Sequence, residues 1–129
     1  METRRRRAGF AIDIEVARLP TDAVLMTLVG DLRLDRSEHL HRMVAEQLGA
    51  APSLLAVDFT DVGWVDPAAL VSLASCGAMA AESRVAFGVI DGPGGPMRTV
   101  LERAGLAEIL PVFDSLGEAL GAQLSHRVN

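Results

Sequence analysis

The segment Leu54-Leu55-Ala56-Val57-Asp58-Phe59 constrains the fold most. It is apolar at five of its six positions and shows no alternation. A strand of this kind must be covered on both faces, as in the centre of a parallel sheet. Parallel strands need long crossovers, and helices usually supply them. The next residues fit that demand: Val62-Gly63-Trp64-Val65-Asp66-Pro67-Ala68-Ala69-Leu70-Val71-Ser72-Leu73 reads as the end of a strand, a short turn and the start of a helix over about 67–81.

The rest of the chain repeats the alternation. Residues 10–16 alternate apolar and polar, as a half-buried strand does. Residues 19–22, Leu-Pro-Thr-Asp, carry turn chemistry. Residues 23–29 form an apolar run ending at Gly30, and the two runs can pair as an antiparallel hairpin. Asp35 or Ser37 can cap a helix whose apolar face is Leu40, Met43, Val44 and Leu48. Gly49 stands where a C-terminal glycine is expected. Residues 85–90 read as a strand and 91–96 as a loop. Residues 97–104 read as a helix closed by Gly105. Residues 110–113 read as a short edge strand that tolerates Pro111. Asp114 or Ser115 caps a last helix over 116–124. The expected order is β, β, α, β, α, β, α, β, α. It implies one α/β domain over 10–124, a mixed, largely parallel sheet packed with about four α-helices. Residues 1–9 read as an Arg-rich tail and 125–129 as a fraying end.

Composition narrows the function. Half of the 129 residues are hydrophobic, enough for one core of ordinary size. The formal charge is −5, and every basic residue is arginine. A net acidic chain lacks the basic face that phosphate neutralisation needs, so nucleic acid is not an expected partner. Arg4-Arg5-Arg6-Arg7 is the exception; it reads as a solvated tail or as an electrostatic tether to an anionic surface. It does not begin an export signal, because Asp13 and Glu15 interrupt the segment that would have to be apolar. No stretch approaches the about 18 apolar residues of a membrane span. A cytoplasmic chain is the expectation. Cys76 has no second cysteine to pair with and reads as a small core residue.

Enzyme signatures are thin, and neither catalytic residues nor a cofactor are expected. The loop Gly92-Pro93-Gly94-Gly95-Pro96 lacks the Gly-Lys-Ser/Thr ending of a phosphate-binding loop, and its prolines remove backbone donors. His39 and His41, two apart on a helix, point to different faces. Asp58, Asp61 and Asp66 cluster near the ends of one strand and raise magnesium, yet they equally suit turns and caps; no metal site is expected. Ser72 and Ser75 show no base partner. Trp64 reads either as a core residue beneath the 66–69 turn or as an aromatic anchor in an interface.

Three segments in register resemble the STAS domain family, which includes the bacterial anti-sigma factor antagonists (anti-anti-sigma factors). They are LMTLVGDLRL, LLAVDFTDVGWVDPAAL and MRTVLERAGLAEILPVFDSLGEAL, within residues 23–122. The resemblance implies a binding module rather than an enzyme. Its partner would be an anti-sigma factor that is also a serine kinase with an ATP-binding fold; a homodimer is compatible with it. In such antagonists the kinase phosphorylates a serine in an Asp-Ser-Ser-Gly-Leu loop and so dissolves the complex. Here Asp66 keeps the aspartate, Pro67 and Ala68 replace the two serines, Ala69 replaces the glycine, and Leu70 matches the leucine. Ala68 stands at the acceptor position, so no phosphorylation is expected in this loop. Upstream, Gly30 and Leu32 match the family's Gly-Glu-Leu-Asp segment, but Arg33 replaces its acidic residue. The resemblance therefore assigns partner contact to Asp31, Arg33, Asp61, Trp64, Asp66, Pro67, Ala68, Ala69 and Leu70. Some family members are accessory subunits of transport ATPases and need no acceptor serine. That role, or that of a small-ligand sensor, is the alternative.

Overall fold

The computed structural model describes residues 12–128; the Arg4–Arg7 run lies outside them. A five-stranded sheet has the order β1-β2-β3-β4-β5. β1 (Asp13–Arg18) pairs antiparallel with β2 (Ala23–Leu32), the hairpin read from the sequence. β3 (Leu54–Val65), β4 (Ala86–Ile90) and β5 (Val112–Phe113) then run in parallel. The helices are α1 (Leu34–Leu48), α2 (Leu70–Glu82), α3 (Pro96–Arg103) and α4 (Leu116–Val128). A 3₁₀ turn, Pro67–Ala69, precedes α2.

Strand alternation divides the core. Leu55, Val57 and Phe59 point to one face, where they join Leu40 and Val44 of α1, Leu73 and Cys76 of α2, and Met97 and Leu101 of α3. Leu54 points to the other face and meets Ala119 and Leu120 of α4. This double cover is why the 54–59 segment has no polar face. Gly77 lets α2 approach the segment before β5, since a Cβ there would lie 2.7 Å from Leu110.

Several boundaries differ from expectation, each for a local reason. β2 does not stop at Gly30 but passes through it to Leu32. Gly30 has φ 121, a value glycine adopts without a steric penalty. α1 starts at Leu34 without a side-chain cap, because one residue, Arg33, carries the chain from strand to helix. Neither Asp35 nor Ser37 caps it; Ser37 Oγ donates to Leu34 O at 2.7 Å inside the helix. Gly49 is right-handed at φ −61, and the left-handed residue after α1 is Ala51 at φ 52. Gly105 is left-handed at φ 73, as expected of the residue closing α3. α4 continues to Val128, beyond the expected end at 124 and through most of the segment expected to fray.

The largest difference positions the site. β3 extends six residues past Phe59. Its pairing with β4 ends at Asp58↔Ile90, so the extension pairs with β2 alone. Thr27 to Asp31 takes four steps along β2, whereas their partners Asp58 to Trp64 take six along β3. Two bulges therefore sit in β3. A bulge adds an unpaired residue and re-aims its neighbours. Burial accordingly changes from nearly continuous over 54–59 to every third residue: Phe59, Val62 and Val65 face the core, while Thr60, Asp61, Gly63 and Trp64 face solvent.

Candidate functional site

β2, β3 and β4 are parallel, so the starts of α1, α2 and α3 lie along one rim of the sheet. At its centre is the 66–69 turn. Asp66 is extended at φ −72, ψ 120, and its N–H donates to Leu32 O at 2.8 Å, fastening the turn to the end of β2. Asp66 Oδ1 accepts the Ala68 N–H at 3.0 Å. Pro67 comes next, where a missing donor costs nothing. Ala69 N–H donates to Asp66 O at 2.8 Å and closes the first turn. The expected cap is thus present, although the helix begins as 3₁₀ and becomes α only at Leu70.

Side chains around the turn separate into two sets. Ala69 and Leu70 are buried and hold the helix start against the core. Pro67 and Ala68 face outward. Trp64 is 46% exposed, which removes the reading of it as a core residue. The bulges supply the physical reason, and nothing in a linear apolar pattern marks them. Leu34 and Val71, in the first turns of α1 and α2, are 54% and 77% exposed. Three of the five large hydrophobic residues exposed among the described residues therefore lie on this rim.

Charges border it. Arg33 places its guanidinium carbon 5.7 Å from the centroid of the Trp64 ring, a cation–π distance that contributes about 0.5–1 kcal/mol when exposed. Asp31 is half-buried opposite Trp64, and Asp61 is exposed opposite Val29. All nine residues assigned from the resemblance lie in or beside the rim, but Ala69 and Leu70 contribute from beneath it.

The remaining candidates disperse. Asp58 Oδ1 accepts from Thr60 N at 2.8 Å and Thr60 Oγ1 at 2.7 Å, a local turn bond rather than one half of a cation site. No group of three or more His, Cys, Asp or Glu among the described residues is placed to hold a metal ion. His39 is exposed. His41 has a role the sequence does not reveal: its Nε2 lies 3.0 Å from Ser75 Oγ and ties α1 to α2. Ser75 thus does have a partner, 34 positions away. Cys76 is buried and free, and burial pushes its thiol up to about 12. Among the described residues no helix is long and apolar enough to cross a membrane.

The family model described as Mlab, STAS domain, matches residues 16–111. The chain belongs to the STAS domain family. Solved structures share its fold at low identity. An anti-sigma factor antagonist from Mycobacterium paratuberculosis is 19% identical with a TM-score of 0.72, over 87% of this chain and 93% of that one. The phosphorylated form of the Bacillus cell fate determinant SpoIIAA is 15% identical with a TM-score of 0.63, over 91% and 100%. The murine anion transporter Slc26a9 is 17% identical with a TM-score of 0.67, over 81% of this chain and 18% of the transporter. No curated protein matches. This STAS domain shares its fold with an anti-sigma factor antagonist, and its rim carries alanine where the resemblance places the acceptor serine.

Proposed function

We propose that this STAS domain is a regulatory protein-binding module of the anti-sigma factor antagonist type. Its partner is an anti-sigma factor/serine kinase with an ATP-binding fold, met in the cytoplasm. It binds without chemistry of its own, through the rim that runs from Asp31 and Arg33 across Trp64 to Ala68 and Val71. The observation that carries this reading is exposed apolar area gathered at one place: Leu34, Trp64 and Val71 around an outward-facing Ala68. Exposed aromatic and arginine side chains are the residue types that anchor interfaces. Ala68 offers no hydroxyl, so the partner's kinase activity cannot dissolve the complex at this position.

A second reading uses the same surface. The Mlab description of the family, and a shared fold with a domain of an anion transporter, favour an accessory subunit docked on a transport ATPase. Both readings predict a protein partner at the rim, and they differ in its class.

The test is affinity capture from the native host with wild-type protein and Val71→Asp, identifying bound proteins by mass spectrometry. Recovery of a kinase-type anti-sigma factor that Val71→Asp fails to hold supports the first reading. Recovery of a transport ATPase in the same pattern supports the second. A partner retained equally by both baits removes the rim as the binding surface.

A further inference from the structure

Beside the 66–69 turn lies a shallow groove of about 350 Å³ lined by Pro67, Leu70, Val100, Arg103 and Ala104. Four of these five side chains are apolar. Pro67 belongs to the turn, Leu70 begins α2, and the other three come from the end of α3. The single charge is Arg103, which is exposed and makes no ion pair among the described residues. The other cations of the rim are engaged. Arg33 stacks on Trp64. Arg98 donates to Asp91 O, Gly92 O and Asp114 Oδ1.

An apolar trough with one exposed guanidinium at its edge is complementary to a particular chemistry. An apolar side chain fills the trough, and a carboxylate close by in sequence accepts the guanidinium's paired donors. We propose that this groove receives an apolar side chain of the partner while an adjacent Asp or Glu of that partner docks on Arg103. The inference rests on the partner-binding reading and specifies which feature of the partner is recognised. It also gives Pro67 a role: where the resemblance places a serine, a proline ring walls the groove. A simpler role for Arg103 exists, since a cation in the last turn of a helix stabilises the helix dipole. That role needs the charge but not the groove.

A displayed library of random peptides, selected on the whole wild-type chain, separates the two. Enriched peptides are expected to carry Leu, Ile, Phe or Met next to an Asp or Glu, or one position from it. Their affinity, read by fluorescence anisotropy on synthetic copies, should fall about tenfold in Arg103→Glu, as for loss of one charge-assisted contact. It should fall similarly in Ala104→Trp, which fills the trough from an exposed position and leaves the core alone. Enrichment of peptides without acids, undiminished binding to Arg103→Glu, or no enrichment over an unrelated protein overturns the proposal. The captured partner distinguishes the two levels. If Val71→Asp loses it and Arg103→Glu keeps it, the partner-binding reading stands and the groove proposal falls. If peptide binding needs Arg103 while Val71→Asp keeps the partner, the groove stands and that reading falls.

Discussion

The starts of α2 and α3 use the same residues for opposite ends. Each comes after one of two adjacent parallel strands, each has an aspartate ahead of it, and each has a proline at its opening, Pro96 in α3 itself and Pro67 in the 3₁₀ turn that leads into α2. At α3 the aspartate is internal. Asp91 is 2% exposed, and its carboxylate accepts from Gly92 N at 3.0 Å, Met97 N at 2.9 Å and Arg98 N at 3.0 Å. The Arg98 guanidinium then returns to Asp91 O at 2.9 Å and reaches Asp114 at 2.7 Å, bracing the loops before α3 and α4 together. Gly95 is required there, because a Cβ would overlap the Asp91 carboxylate. At α2 the aspartate is partly exposed and accepts one bond, from Ala68 N. Beyond it Pro67 and Ala68 point outward. Asp91 and Arg98 fill their own site. The 66–69 turn satisfies its backbone lightly and leaves its surface for something else.

Removing the locked aspartate should have the largest effect. Asp91→Ala strips three backbone donors of a charged acceptor in a buried place, which costs about 3 kcal/mol. Urea unfolding measures it directly. A loss no larger than that from the same change at Asp66 would break the contrast between the two starts.

Asp66→Ala comes next. It removes one exposed cap bond, and caps of this kind contribute about 1 kcal/mol. α2 survives because its grip is elsewhere, in Leu70, Leu73, Cys76 and Ala80 against the sheet. A loss near 3 kcal/mol would mean that the 66–69 turn is as structural as the start of α3.

Cys76 reports the same difference from inside. Its thiol is buried with its pKa pushed up to about 12, against 9.0 for the free group. The folded chain therefore keeps a proton that the unfolded chain releases. Stability from this source is intact below pH 9 and declines as pH rises from about 9 towards 12. At neutral pH, iodoacetamide can reach the thiol only when the chain opens. Labelling should quicken about fivefold in Asp66→Ala, in proportion to about 1 kcal/mol of lost stability. A much larger increase would show that the turn opens α2 locally.

The contrast also marks what was legible in the sequence. The doubly covered strand at 54–59 determined the layer fold, and Asp66-Pro67 announced a helix start, because both signals are local. The bulges were not legible. They depend on β2 and β3 running at different rates, and the sequence of β3 alone carries no count of β2. Only the register of Trp64 shows which way it faces. The role of Asp91 is hidden for a related reason: its carboxylate accepts from Met97 N, six residues on, across a glycine-rich loop that reads as a mere connection. The His41–Ser75 tie joins two helices and leaves no spacing to find. Where function rests on outward side chains near a strong local cap, sequence finds the place; which side chains face outward is a tertiary matter.

The smallest expected change in stability is Ala68→Ser. Ala68 faces solvent and its N–H is already bonded to Asp66. An exposed substitution of this kind stays within about 0.5 kcal/mol. Its consequence is chemical. A hydroxyl at the start of α2 restores the acceptor. Incubation with the captured kinase and ATP should then add one phosphate to Ala68→Ser at this residue and none there to the wild type, as read by peptide mass. The phosphate carries about −1.5 to −2 charges. The helix dipole favours it by about 0.3–1 kcal/mol, while the neighbouring Asp66 carboxylate opposes it. These terms roughly cancel, so the fold should be nearly indifferent to the modification. The rim should not be, since the same charges would stand among Trp64, Pro67 and Val71, where a partner would have to desolvate them. Stability unchanged with partner binding lost is the signature of a surface that serves contact alone. A fold weakened by more than about 1 kcal/mol in the unmodified Ala68→Ser would instead give this turn the closed, structural character of the start of α3.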